Sequence, residues 1–149
     1  MSGQDFKKLE RVRGDCRWTV EQQDQVVIKQ FVLINYFQSL IKRRWEREHA
    51  ALSVLKLRGV PAPTTFGYTS ARHGTVAYRR EFVPGISPAQ LSDQQVEQLA
   101  RLFSDIHAAG VTNGDAALDN LLVVPDGTLI LIDYGRAHTS RFKGPVFRF

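Results

Sequence analysis

Along residues 35–57, Phe37, Ile41, Trp45, Glu48, Leu52 and Leu55 recur at spacings of four, four, three, four and three, which is one face of an α-helix. One member of that face is a carboxylate. A buried unpaired charge is too costly to fold around, so Glu48 requires a cation from another element. Lys29 is the natural partner, because it lies inside the apolar run Val26-Val27-Ile28-Lys29-Gln30-Phe31-Val32, whose β-branched and aromatic content reads as a strand. Glu46 sits about 200° around the helix from Glu48 and is expected to face water. The pattern asks for a helix packed on a sheet with a Lys29–Glu48 pair between them.

The rest of the chain can be read around that unit. Arg17-Trp18-Thr19-Val20 forms a strand before it, separated by a polar stretch at residues 21–25, so a small antiparallel sheet is expected. Gly59 ends the helix, and Pro61 and Pro63 prevent its continuation. Residues 64–68 and 75–82 read as two more strands, joined by a turn at Arg72-His73-Gly74. Val83-Pro84-Gly85 then reads as a connection, and Ser-Asp-Gln-Gln from Ser92 resembles a capping box that starts a second helix. Its stripe is Val96, Leu99, Phe103 and Ile106. A polar loop at residues 112–120 leads to a hairpin, 121–124 and 129–132 about the turn Pro125-Asp126-Gly127, with Asp133-Tyr134-Gly135 at its exit. This order predicts an α+β fold of two lobes, residues 1–84 and 85–149, with a cleft between them.

Composition narrows the setting. With 43% hydrophobic and 23% charged residues the 149-residue chain has the make-up of a soluble globular protein. No run of about eighteen apolar residues occurs and Met1 to Glu10 is polar, so neither spanning nor secretion is expected, and a cytoplasmic setting is. A lone Cys16 makes no internal disulfide, and no Cys/His spacing suits a structural zinc ion. The four histidines, His49, His73, His107 and His138, show no metal-binding or nucleophile-base spacing, and His107 is expected to pack at its helix end. Residues 1–84 hold 15 Lys and Arg against 8 Asp and Glu, while residues 85–149 hold 5 against 7, so the basic surplus is N-terminal and favours an anionic partner. No nucleic-acid-binding motif accompanies it.

Three oxygen-bearing side chains gather at the loop and the hairpin. A hairpin brings its ends together, so Asn120 before the first strand and Asp133 after the second should be neighbours, with Asp115 nearby. Hard oxygen donors of this kind suit Mg²⁺ shared with phosphates. Taken singly, each residue is explained as well by local turn hydrogen bonds. The joint spacing favours chemistry: an Asp, four residues, an Asn, and later Asp-aromatic-Gly is the phosphoryl-transfer signature, met here by Asp115, Asn120 and Asp133-Tyr134-Gly135.

On these residues, together with Ile106 to Asp115, Asn120-Leu121-Leu122-Val123, Leu131 to Arg136 and the stretch from Glu48 to Pro63, the chain resembles the protein-kinase-like phosphotransferases. Within them it looks most like the bacterial lipopolysaccharide core kinases that phosphorylate Kdo or heptose sugars. The resemblance implies a two-lobed kinase-like fold with a reduced C-terminal lobe. It also implies ATP and Mg²⁺ as cofactors and phosphorylation of a hydroxyl, on a glycolipid acceptor. By position it makes Lys29 the phosphate ligand, Glu48 its anchor, Asp115 the catalytic base, Asn120 and Asp133 the metal ligands, and Glu81, Phe82 and Val83 the adenine-binding hinge.

Three departures accompany the resemblance. Asn113 stands where these families usually carry His, the segment 11–17 offers only Gly14 in place of a glycine-rich phosphate lid, and the chain runs only fourteen residues past Gly135. Arg13 and Arg17 are candidate side-chain clamps in place of that lid, although a basic strand surface is the plainer reading. A second copy or a partner that completes the C-terminal lobe would account for the length. The basic residues Lys42, Arg43 and Arg44, with Arg141, Lys143 and Arg148, fit either a solvated face or contact with phosphorylated glycolipid at the inner face of a membrane. Two rival functions follow: a small-molecule phosphotransferase of the aminoglycoside or choline type, and a non-catalytic pseudokinase that binds a partner.

Overall fold

The computed structural model of this chain describes residues 9–13, 16–33, 44–69, 74–114 and 118–140. Strands β1 (Leu9–Arg13), β2 (Cys16–Gln23), β3 (Val26–Leu33), β4 (Thr65–Tyr68) and β5 (Thr75–Glu81) form one antiparallel sheet in the order β1-β2-β3-β5-β4. The turn expected over residues 21–25 is tighter than that. Strand β2 continues to Gln23, and Asp24, with φ 53°, makes the reversal in a left-handed conformation that a short polar side chain tolerates.

Cross-strand register decides which side chains meet the helix. Strands β3 and β5 pair Phe31 with Val76, Lys29 with Tyr78 and Val27 with Arg80, and opposed residues share a face. All six are buried. Helix α1 (Arg44–Leu57) packs on that face: Trp45 lies 5.2 Å from Phe31, ring to ring, and closes a cluster with Val76 and Tyr78. The stripe residues Phe37 and Ile41 lie outside the described residues. His49 of α1 and the Tyr78 hydroxyl both meet Thr65 Oγ1, at 2.9 and 3.0 Å, and so tie the helix to strands β4 and β5.

Helix α2 (Asp93–Ala108) begins at the capping box read from sequence: Ser92 Oγ accepts from Gln95 N–H at 3.2 Å and Gln95 Oε1 accepts from Ser92 N–H at 3.0 Å, an arrangement that contributes about 1 kcal/mol. Its buried face is centred on Leu102 and Ile106, with Leu99 and Phe103 packed beside them. Val96 belongs to the expected stripe yet is 52% exposed. It lies about 80° around the helix from Ile106, at the edge of the face. His107 is exposed rather than packed; its ring stands 6.1 Å from Phe103.

Strands β6 (Val111–Thr112), β7 (Leu121–Val123), β8 (Leu129–Leu131) and β9 (His138–Thr139) complete the fold. Strands β7 and β8 form the expected hairpin, and β6 pairs with β9. The connection after Val83 crosses this hairpin closely, because Ile86 and Val123 exchange backbone hydrogen bonds of 3.1 and 2.9 Å. A Cβ at Gly85 would stand 2.9 Å from the Val123 carbonyl oxygen, so only glycine fits there. Ala51, Leu52 and Leu55 of α1, Leu102 and Ile106 of α2, and Val111, Leu121, Leu129, Leu131, Tyr134 and Ala137 form the larger core. Among the described residues no helix is long and apolar enough to cross a membrane.

Candidate active site

Strand β3 presents Lys29 and helix α1 presents Glu48 to the same buried space. Lys29 Nζ lies 3.1 Å from Glu48 Oε1 and 3.0 Å from Oε2, a two-pronged contact by a carboxylate that is only 1% exposed. Glu48 also accepts from the Tyr134 N–H at 3.3 Å. A backbone N–H 86 residues away in sequence is thereby referred to the same carboxylate as Lys29. Burial, and then the Glu48 charge, push the phenols of Tyr78 and Tyr134 above their ordinary range, so both stay neutral.

Asp133 approaches from the exit of β8. Its Oδ1 is 3.7 Å from Lys29 Nζ and accepts from Gly135 N–H at 3.0 Å, while 41% of the side chain stays exposed. Burial acts to raise its pKa, but Lys29, the Gly135 N–H, Arg80 and Arg44 together overcome this and hold the carboxyl below the ordinary carboxylate value. Asp133 is therefore an anion with open solvent access beside a buried cation. Asn120 precedes β7, and the Ile132 N–H donates to its carbonyl at 2.9 Å, so the hairpin ladder sets Asn120 across from Ile132 and close to Asp133 in the chain path.

Asp115 lies outside the described residues, but its two predecessors are tightly held. Asn113 is buried, and its Nδ2 donates to the Asp133 carbonyl at 2.8 Å. The amide thus fastens Asn113 to the Asp133 segment. Gly114 has φ 77°, and a Cβ there would lie 2.5 Å from the Arg136 carbonyl oxygen. No other residue fits that position without moving the loop.

Glu81, Phe82 and Val83 run from the end of β5 toward the connection. Glu81 N–H donates to the Thr64 carbonyl and Phe82 N–H to the Gln25 carbonyl, both at 2.7 Å. Among the described residues the main-chain groups of the buried Val83 make no such bond. Arg13 and Arg17 lie in described strands, but Gly14 does not, and their side chains are not described.

Sequence reasoning passed over Arg80. It is buried, its Nε is 3.9 Å from Glu48 Oε1, and one terminal nitrogen donates to the Glu81 carbonyl at 3.0 Å. The signal was the alternation in Thr75–Glu81, which puts Arg80 on the face of Val76 and Tyr78. Among the described residues no group of three or more His, Cys, Asp or Glu side chains is placed to hold a metal ion by itself. The hard-oxygen pair Asn120 and Asp133 nevertheless fits Mg²⁺, which keeps waters and phosphate oxygens among its ligands. An open groove of about 610 Å³ between α2 and the hairpin, lined by Gln94, Gln98, Asp105 and Thr128, includes none of these residues.

No family model matches the sequence. A 3-deoxy-D-manno-octulosonic acid kinase of Xylella fastidiosa (strain M12) is 30% identical over 110 residues, covering 62% of this chain and 44% of that protein. The chain thus spans less than half the length of this relative. Among solved structures, WbdD in complex with the kinase inhibitor LY294002 superposes with a TM-score of 0.65 at 18% identity, over 96% of this chain and 35% of that one. The bifunctional kinase-methyltransferase WbdD gives 0.64 at 16% identity over 85% and 30%. The chain has a protein-kinase-like α+β fold, and its sequence is similar to that of a 3-deoxy-D-manno-octulosonic acid kinase.

Proposed function

We propose that this chain carries the catalytic elements of a kinase that uses ATP and Mg²⁺ to phosphorylate a hydroxyl of a lipopolysaccharide core sugar. The observation that carries this reading is the buried Lys29–Glu48 pair at 3.0 Å with Asp133 Oδ1 3.7 Å from the same ammonium. A stable fold has little use for two carboxylates converging on one lysine, and apolar packing would serve it as well. Phosphoryl transfer of the protein-kinase type does use that arrangement. The relative named for action on 3-deoxy-D-manno-octulosonic acid supports the sugar class.

In this reading Lys29 binds the α- and β-phosphates and Glu48 fixes its position. Asn120 and Asp133 hold the Mg²⁺, which when bound neutralises charge on the phosphates. Asp115 orients the acceptor hydroxyl and takes its proton as the oxygen bonds to the γ-phosphorus and ADP departs. Glu81, Phe82 and Val83 seat the adenine. Residues 1–84 and 85–149 act as the two lobes, at the inner face of the membrane where a glycolipid acceptor is presented. The test is transfer of labelled γ-phosphate from ATP to a Kdo-bearing lipid A precursor. Transfer that needs Mg²⁺ and is abolished by Asp115→Ala with folding retained supports the reading. ATP binding without transfer to any sugar acceptor would favour a binding module.

A further inference from the structure

Helix α2 and the β7–β8 hairpin enclose an open groove of about 610 Å³ that the proposed reaction leaves unused, a volume within the range of small-ligand sites. Gln94, Gln98, Arg101 and Asp105 follow one another at spacings of four, three and four, so one face of α2 forms a wall. Asp126, Gly127 and Thr128 at the hairpin turn form the other wall, and the buried Leu102 and Leu129 supply an apolar floor. Both walls are fixed in advance. The Ser92–Gln95 capping box sets the start of α2, and the Ile86–Val123 backbone bonds of 3.1 and 2.9 Å pin the hairpin, so a ligand has little to order on entering.

Much of the polar capacity of these walls is unspent. Among the described residues the side chains of Gln94, Gln98 and Asp105 make no hydrogen bond, while Arg101 comes only within 3.9 Å of Glu97 and Asp126 accepts from the Thr128 N–H at 2.9 Å. Each amide brings two donors and an acceptor. Amides and a carboxylate above an aliphatic floor match the hydroxyls and the C–H face of a sugar ring. Asp105 and Asp126 outnumber Arg101, which sets the groove against phosphate and nucleic acid. Leu102 and Leu129 are only 6% and 4% exposed, and Pro61 and Val123 offer small side chains, too little to seat the bulky anchors of a peptide. We propose that this groove binds uncharged sugars of the acceptor's oligosaccharide, away from the reacting hydroxyl; the choice of acceptor rests on the function proposed above. Leu129 lies within about 14 Å of Asp133, the reach of four extended residues, so a short chain of sugars can touch both. Gln98, half-buried in the middle of its wall, then selects longer acceptors and touches no reacting atom.

The test uses the full chain with two probes, a deacylated lipopolysaccharide core oligosaccharide and a single-sugar Kdo glycoside. Without nucleotide, NMR titration with the oligosaccharide should shift the side-chain amides of Gln94 and Gln98 and the Thr128 N–H; the single sugar should leave them in place. With ATP and Mg²⁺, Gln98→Leu should raise the KM for the oligosaccharide roughly ten-fold. It should leave kcat, the KM for ATP and the KM for the single sugar unchanged, the mark of lost ground-state binding. Asp105→Ala, exposed on α2, serves if Gln98→Leu does not fold, and should show the same selectivity by a smaller factor. Groove shifts without phosphoryl transfer would refute the kinase reading and sustain the groove. Transfer without those shifts, or a Gln98→Leu effect equal for both acceptors, overturns this inference and leaves the kinase reading standing. Groove resonances that move with protein concentration instead of with sugar would give the place to a second copy, and overturn it too.

Discussion

Helix α1 buries two unlike surfaces along its 14 residues. Toward its N-terminal end it sets Trp45 and Glu48 against the sheet, where Lys29 and Arg80 are also buried. Toward its C-terminal end it sets Ala51, Leu52 and Leu55 into an entirely apolar contact with α2 and the hairpin. The apolar half explains why the helix sits where it does. The charged half adds little to that and carries a desolvation cost, so its justification lies in what it can bind. One element therefore joins the apolar core to the buried ion pairs of Glu48 with Lys29 and Arg80.

The contrast can be broken from either side. The largest effect is expected for Glu48→Ala, which leaves Lys29 and Arg80 buried beside each other without their common anion. Denaturant unfolding should show a loss of about 3–5 kcal/mol, and ATP binding should disappear with it. Leu52→Ala in the apolar half should cost about 2–5 kcal/mol by the same measurement, yet leave ATP affinity unchanged in protein that is still folded. A variant of Leu52 that lost ATP binding while folded would show that the two halves are not separable in function.

Smaller effects sharpen the boundary. Gly114→Ala should cost about 1–3 kcal/mol and lower phosphoryl transfer far more than ATP affinity, because the Cβ collides with the Arg136 carbonyl at the position that precedes Asp115 in the sequence. Steady-state kinetics should place the loss in kcat. Tyr134→Phe removes a buried hydroxyl that has no partner within the described residues, so unfolding should be unchanged or slightly favourable, within about 0.5 kcal/mol. Val96→Ser, on the exposed edge of α2, should be the mildest, within about 0.5 kcal/mol.

These two halves were not equally legible in the sequence. Helical phase alone placed Glu48 among apolar neighbours and strand composition alone offered Lys29, because periodicity and the cost of an unpaired charge are both local arguments. The Ser92 cap and the β7–β8 hairpin were readable for the same reason. Pairing of β6 with β9 was not, since two-residue strands carry no period and their register is set by tertiary contact. The Val96 stripe was drawn too far around the helix because spacing alone does not locate the centre of a buried face. Arg80 was hidden by its charge: the alternation through Val76 and Tyr78 reaches it, but an arginine at a strand end is ordinarily read as solvent-facing. Asn113 shows the converse, a residue that differs from the His expected by resemblance and bonds the Asp133 carbonyl.

The most direct measurement is thermal unfolding of the chain with and without Mg·ATP, repeated for Asp133→Ala. Nucleotide at about 100 times its dissociation constant adds roughly 2.7 kcal/mol, a rise of several degrees for a domain of this size. The expected result is that rise in the parent and a much smaller one in Asp133→Ala. No rise in the parent, or an equal rise in both, would contradict a phosphate site built on Lys29, Glu48 and Asp133.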